Sequence, residues 1–526
     1  MKWRILILSA ISLFFTACQV QENIQDGQTA YKLKKYKLAA ELLQKDFNKA
    51  ELPDEKSKIA FQIGESYANN NNYENAGEWY FKAYDLGYES EAILQYALML
   101  KAQEKYEEAL KEFEKYLLEE PYRRPEMTLE MDACKNGIAW KQRQENEYER
   151  DTYVTEITTL NSGDADFNPV IYQGDKLIFT SSRDMSTGEN NDSWTGDKYY
   201  DLYVANIKDV TSFSAPELFK GPFNAAYNDG TLAFNKDYSE VYFTRCGSDD
   251  RKVDDYCGIY VSNYLPDGGW SEPVALPFFD DTMNIGTPCL SLDGNTLFFA
   301  ATNPDGYGGA DIYMSRRTES GWDAAYNAGQ VINTSGNEVF PYFDSEGVMY
   351  FSSDKHPGLG GLDIFSATWK NNKFSNIKNM EYPINSGCDD FGLILLDKKQ
   401  FINSDTLNAG YFSSNRKGGM GDDDMYFFAK TTKKLRPPVF VLKGTVLEKV
   451  YLDSLDVNST VLDTIPLDKS IATLSYPNEQ TLLGKWNIGD EGIFSIQVDS
   501  LKEYKITGMK EGYFNNTTYV TTKTVK

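Results

Sequence analysis

Residues 350–365 read YFSSDKHPGLGGLDIF and gather the types that can do chemistry. They hold His356, the only histidine of the chain, a glycine-rich turn from Gly358 to Gly361, and the acid Asp363. A general base, a phosphate cradle and ordinary turn structure are the three readings. A cradle needs a strand before the glycines and a helix after them, because helix N–H groups meet the phosphate. Here a second strand pattern follows, so the cradle fails its context. Nucleophilic catalysis needs a base and an orienting partner around a serine. No Gly-x-Ser-x-Gly elbow is present, and one histidine leaves no spare. Paired-carboxylate chemistry has ample material in 78 acids, but no pair is singled out. Asp249-Asp250, Asp389-Asp390 and Asp422-Asp423-Asp424 lack the alternating oxygen spacing of a calcium loop and read as solvated acidic loops. The expectation is no catalytic residue, no metal and no cofactor.

The stretch is not unique. IFTSSRD…YYDLYVA, VYFTRC…YCGIYVS, LFFAATNPDGYGGADIYMS and GYFSSNRKGGMGDDDMYFFA repeat its plan of aromatic strand, polar glycine loop and second strand. Phe179, Phe243, Phe299, Phe351 and Phe412 are the equivalent aromatics. Each unit has another alternating strand before it and, in most cases, a fourth after it, with Trp270 and Trp322 at matched positions. Four strands repeated radially predict a five-bladed β-propeller over 151–433. Residues 153–160 alternate as a strand and are expected to complete blade five, which otherwise lacks its outer strand. The glycines then serve tight hairpins. Asp363, like Asp201, Asp311 and Asp424, is expected to tie down loop amides. His356 has no counterpart in the matching loops and reads as a loop residue.

Cys246 and Cys257 stand at the two ends of the blade-two loop, on strands expected to be antiparallel neighbours. A disulfide is predicted there, stabilising by about 2–4 kcal/mol, with two buried thiols as the alternative. Cys134, Cys289 and Cys388 read as buried thiols.

Before the propeller, residues 20–147 read as helix. Ile63-Gly64, Tyr67, Ala76, Tyr80 and Ala83 resemble the tetratricopeptide pattern, and Ala39, Ala76 and Ala109 mark successive repeats. Such an α-solenoid offers a concave groove. By pattern position Tyr31, Lys58, Glu65, Asn69 and Lys101 should line it, and residues 128–147 should form a solvating cap helix. After the Pro437-Pro438 linker, residues 439–526 alternate in short segments and predict a small β-sandwich. Gly444-Thr445-Val446, Gly492-Ile493-Phe494 and Glu511-Gly512-Tyr513 resemble the carboxypeptidase regulatory-like domain. The fold class expected is therefore multidomain, α then β.

The first 18 residues read as an address. Lys2 and Arg4 precede an apolar core and Phe15-Thr16-Ala17-Cys18, which resembles a lipoprotein signal ending at a lipidated Cys18. Gln19 replaces the aspartate of inner-membrane retention, so an outer-membrane lipoprotein on the periplasmic face is expected. A net charge of −25 argues against nucleic acid and anionic lipid surfaces as partners.

The order of lipid signal, tetratricopeptide repeats, blades with an FSS-loop-GG-x-D-I-Y pattern and regulatory-like sandwich resembles the PorE-type, OmpA-family lipoproteins of Bacteroidetes. That resemblance implies a TolB-like, WD40-like (PD40) propeller and a non-enzymatic scaffold that binds protein partners in type IX secretion or envelope organisation. Family members also carry an OmpA-like domain that grips peptidoglycan. Nothing in this sequence resembles it, so either this is a shorter relative or the chain is a truncation, and peptidoglycan binding does not follow from the resemblance. The alternatives are a glycan- or peptide-binding propeller using Trp194, Trp270 or Trp322, and a carboxylate-based hydrolase.

Overall fold

The computed structural model describes residues 24–187, 197–247, 257–278, 283–397, 405–432, 440–477, 481–489, 491–499 and 502–523. Cys18, Trp194, Asp249-Asp250 and Pro437-Pro438 lie outside them. The chain forms two compact units, residues 1–433 and 434–526. No helix among the described residues is long and apolar enough to cross a membrane.

The first unit opens with α1 (Gly27–Lys32), α2 (Tyr36–Lys49), α3 (Pro53–Ala68), α4 (Tyr73–Asp85), α5 (Glu91–Ala102), α6 (Tyr106–Glu119) and α7 (Arg124–Glu145). Caps set the starts. Asp26 accepts from the Thr29 N–H at α1, and Asn72 accepts from the Asn75 N–H at α4. The first helix of each pair ends in the same turn. Lys34, Asn71 and Glu104 take φ of 57°, 56° and 58° there, and the next N–H bonds back to Ala30, Tyr67 and Leu100. Ala39, Ala76 and Ala109 are fully buried where paired helices touch. Gly64 allows the closest approach, since a Cβ on it would lie 2.8 Å from the Tyr80 ring.

Five antiparallel sheets follow. Their innermost strands are Asp166–Tyr172, Asn228–Phe234, Ile285–Leu290, Glu338–Phe343 and Asp390–Leu395. Each ladder shifts register near its third residue. There Asn168, Thr231, Thr287, Phe340 and Gly392 adopt positive φ, so each inner strand bends at a bulge around the central tunnel. The second-strand phenylalanines Phe179, Phe243, Phe299, Phe351 and Phe412 are all buried in the packing between blades. The ring closes as the alternation predicts. Strand Thr152–Glu156 pairs with Asp424–Thr431, in the register Thr152 to Lys430 and Glu156 to Tyr426, as the outermost strand of blade five. The blade holding the last propeller strands thereby also holds the first, and the outer edge of Asp424–Thr431 is covered.

The second unit is a small antiparallel sandwich. A four-stranded sheet runs in the order Leu482–Asn487, Ile471–Ser475, Glu503–Met509, Asn516–Thr521, and Phe440–Thr445 pairs with Ile493–Val498. Leu442, Ile496 and Val498 share one core with Leu474, Tyr504 and Ile506. A further hairpin, Leu447–Tyr451 with Val461–Pro466, is exposed along most of its length.

Candidate functional site

The chemistry-bearing residues of the propeller meet at the seams between blades. Four inner strands carry a buried acid at their start, as first residue in Asp166, Glu338 and Asp390 and as second in Asp229. Each acid accepts the backbone N–H of the residue four positions earlier, which is Ser162, Ala225, Thr334 or Ser386. Three of them also accept that residue's hydroxyl. One residue further back stands Asn161, Asn224, Asn333 or Asn385. Its side-chain amide spans the seam, taking the N–H and giving to the C=O of a single residue in the preceding blade: Met425, Leu202, Ile312 or Ile364. These eight bonds measure between 2.7 and 3.2 Å. An Asn-x-x-x-x-acid linker thus clamps blade to blade.

A basic side chain closes each clamp. Arg183, Arg245 and Arg416 pair with Asp166, Asp229 and Asp390. They also donate to the carbonyl just before the clamp asparagine, at Leu160, Phe223 and Ile384. Each guanidinium lies over the two ring faces of its own blade, about 5 Å from Phe179 and Tyr203, Phe243 and Tyr260, or Phe412 and Tyr426.

His356 occupies this same place in blade four. Its Nε2 donates to the Ile332 carbonyl at 2.7 Å. Its ring packs 5.7 Å from Phe351 and 5.2 Å from Phe365. The acid of this seam, Glu338, accepts from Thr334 and from the Ser353 hydroxyl, and burial raises its carboxyl above the ordinary value. The expectation that His356 has no counterpart is therefore corrected. Its counterparts are Arg183, Arg245 and Arg416, which sequence alignment misses because the loop lengths differ.

The strand-opening acids do tie down loop amides. Asp201 accepts from Thr187, Asp311 from Tyr307 N–H at 2.6 Å, Asp363 from Gly360 N–H at 2.9 Å and Asp424 from Gly421 N–H at 3.0 Å. The second carboxylate oxygen of Asp311, Asp363 and Asp424 is buried without a partner. Burial pushes Asp363 up to about 8, with nearby Asp390 adding to the rise. The solvated-loop reading is corrected for Asp390 and Asp424, which are buried. Trp270 packs against Phe223 and Phe234, and Trp322 of blade three packs across the seam against Tyr242 of blade two.

Cys246 and Cys257 face each other across the blade-two ladder and are joined by a disulfide. Cys134, Cys289 and Cys388 are free and buried. No cluster of three or more metal-ligating side chains occurs among the described residues.

The repeat groove brings four of its five predicted residues to the surface of α1 and α3. The Tyr31 hydroxyl donates to Glu65, and burial raises the carboxyl of Glu65. Gln28 and Gln62 exchange amide bonds one turn away. Lys58 is exposed and pairs with Asp54, while the exposed Asn69 donates to the Glu65 carbonyl. Lys101 is a correction. It is buried and bonds Glu130 of α7 at 2.6 Å, because α7 closes over the end of the groove.

That helix does more than cap the repeats. One face of α7 packs on the repeats, where a Cβ on Gly137 would come within 2.7 Å of the Tyr106 ring. Its end meets the propeller. Arg143 pairs with Glu381 at 2.6 Å. Lys141 pairs with Glu104 at 2.7 Å and sits over the Tyr382 ring. Leu359, from the glycine turn of blade four, is fully buried in one cluster with Ile93, Leu100, Tyr106, Phe113 and Cys134. The next glycines allow this. A Cβ on Gly360 would lie 2.3 Å from the Cys388 carbonyl oxygen, and one on Gly387 would lie 2.4 Å from that of Ala102. The turn is thus the plug that docks the repeats on blades four and five.

No known family profile matches the chain, and no curated protein matches it. Among solved structures it is similar to a glycoside hydrolase, at 10% identity and a TM-score of 0.37 over 57% of this chain and 97% of that one. It is also similar to an endo-arabinase from Bacteroides thetaiotaomicron, at 13% identity and 0.34 over 53% and 98%. A putative TolB from Agrobacterium tumefaciens matches at 13% identity and 0.30 over 66% and 96%. These likenesses are of fold alone.

Proposed function

We propose that this chain is a non-enzymatic scaffold, held by a lipid on Cys18 at the periplasmic face of the outer membrane. It gathers protein partners of the secretion or envelope machinery, in the manner of the PorE-type lipoproteins of type IX secretion that its sequence resembles. One observation carries the reading. Leu359, Gly360 and Gly387 lock the repeats onto the propeller through a packed seam, so the groove is presented on a stiff base. Rigid, extended surface suits binding by area rather than chemistry. The disulfide fits an oxidising compartment. The carboxylate-hydrolase reading has less support, because the four buried seam acids are each occupied by clamp groups of the chain itself.

Affinity capture from detergent-solubilised outer membranes tests the proposal. Deleting the repeats is a poor control, since it uncovers Leu359 and Tyr382. The better variant is Tyr31→Ala with Glu65→Lys, which alters the groove and leaves the seam. Envelope or secretion proteins should be enriched by the wild type and lost with this variant. No enrichment, or enrichment indifferent to it, would overturn the proposal.

A further inference from the structure

The repeat groove carries acids that this chain does not neutralise. On α3, Glu65 follows Gly64, whose missing Cβ admits the Tyr80 ring of α4. Glu65 accepts the Tyr31 hydroxyl of α1, and Glu91 of α5 accepts the Gln95 amide at 2.7 Å. Both donors are neutral, and neither carboxylate has an ion-pair partner among the described residues. The basic residues of the groove are engaged elsewhere, Lys58 by Asp54 at 3.0 Å and Lys101 by Glu130 at 2.6 Å. Burial raises the carboxyl of Glu65, its bond from Tyr31 opposes this, and Glu91 adds to the rise, so the two acids lie within reach of each other's charge.

Tyr80 points to a ligand independently. The residue is 2% exposed, and its hydroxyl has no hydrogen-bond partner among the described residues. That oxygen is not one of the sealed-off polar atoms of the molecule, so it reaches the groove while its ring stays buried. Burial raises the phenol, and Glu65, Tyr31 and Glu91 add to the rise, which places those three groups around it. Two carboxylates and an open hydroxyl accept hydrogen bonds and repel anions. An ammonium offers three donors from one point. A guanidinium offers five N–H groups in a plane, enough to bridge acceptors carried on three helices. Gln62 and Asn69 stand three residues before and four after Glu65, on the same helix face. Their amides suit the peptide groups of a chain lying along the groove, which a free small cation does not have.

We propose that Glu65, Glu91 and the Tyr80 hydroxyl form the seat of an arginine side chain from a bound polypeptide. The seat rests on the groove being the partner site, and it gives that partner its chemistry. The net charge of −25 draws such a basic segment in.

Saturation-transfer NMR on the full chain, with Nα-acetylarginine methylamide as probe, tests the seat. The probe should receive saturation, and its neutral isostere Nα-acetylcitrulline methylamide should not. Glu65→Gln keeps an acceptor for Tyr31 and removes the charge, and in a titration it should weaken the probe roughly 10-fold or more. Tyr80→Phe removes a hydroxyl that holds nothing in the fold. It should weaken the probe roughly 2- to 10-fold with the denaturation midpoint held. Nα-acetyllysine methylamide bound more tightly than the arginine compound would overturn the guanidinium assignment. Citrulline matching arginine, binding indifferent to both variants, or no binding to the wild type overturns the seat itself. Envelope proteins captured through the groove while the probe stays unbound overturn the seat and spare the scaffold. A bound probe with no captured protein supports the seat and overturns the scaffold.

Discussion

Replacing Leu359 by alanine should loosen the repeats from the propeller without unfolding either. The side chain is fully buried and sits in a cluster built otherwise from α5, α6 and α7. Removing it deletes three carbons and leaves a void that Tyr106 and Phe113, themselves buried, can only partly fill. Changes of this kind cost about 2–4 kcal/mol. The loop backbone should survive, because Gly360 N–H still reaches Asp363 and Leu362 N–H still reaches Asp389. A melting temperature is a poor readout for a chain of several units, so local hydrogen exchange is the assay. Protection should fall roughly 30- to 900-fold, the range that corresponds to this cost, across residues 93–145 and 356–390. Residues 166–181 of blade one should be unchanged. Exchange that accelerates only within 355–363 would refute the reasoning, since it would mean that Leu359 holds its own loop and not the seam.

Asp363 ties stability to pH. Its folded carboxyl is raised to about 8 by burial, above its value in an unfolded chain. The group therefore supports the fold fully below the unfolded value, near 4, and that support is lost as pH rises through about 8. The protection of residues 356–390 against hydrogen exchange, corrected for intrinsic rates and taken as wild type relative to Asp363→Asn, should fall between pH 5 and pH 8, and a flat ratio would refute the assignment. For His356, an arginine should serve and an alanine should not. His356→Ala leaves the Ile332 carbonyl without its donor and should cost about 1–3 kcal/mol, measured by denaturant unfolding, whereas His356→Arg should recover most of it. Equal losses in the two variants would argue that the histidine is not a stand-in for the blade arginines.

Much of the fold was legible because its signals are local. Strand alternation, the Phe-loop-Asp hairpin and the spacing of Ala39, Ala76 and Ala109 are set by neighbours a few residues apart. The clamp was legible in principle and was missed. NSGDAD, NAAYND, NTSGNE and NSGCDD recur before four blades, but a short linker of small and polar residues looks like any turn until its asparagine is seen bridging two sheets. Trp270 and Trp322 recur at matched positions, and both pack against aromatic neighbours. Lys101 was misread because a groove position inferred from one repeat ignores what the next helix covers.

The sequence by itself determined the repeating units, their order and the strand that closes the ring, since each rests on short-range periodicity and on the four-strand count that the last blade otherwise lacks. Only the tertiary structure decided what the opening stretch is for. Leu359 in a glycine turn, and His356 beside it, carry no local sign of burial. One becomes a plug because a helical face with matching apolar surface stands opposite. The other becomes a clamp because an adjacent seam offers a carbonyl and an acid. Those partners lie 200 or more residues away in Leu359's case and 24 in His356's, and sequence proximity records neither.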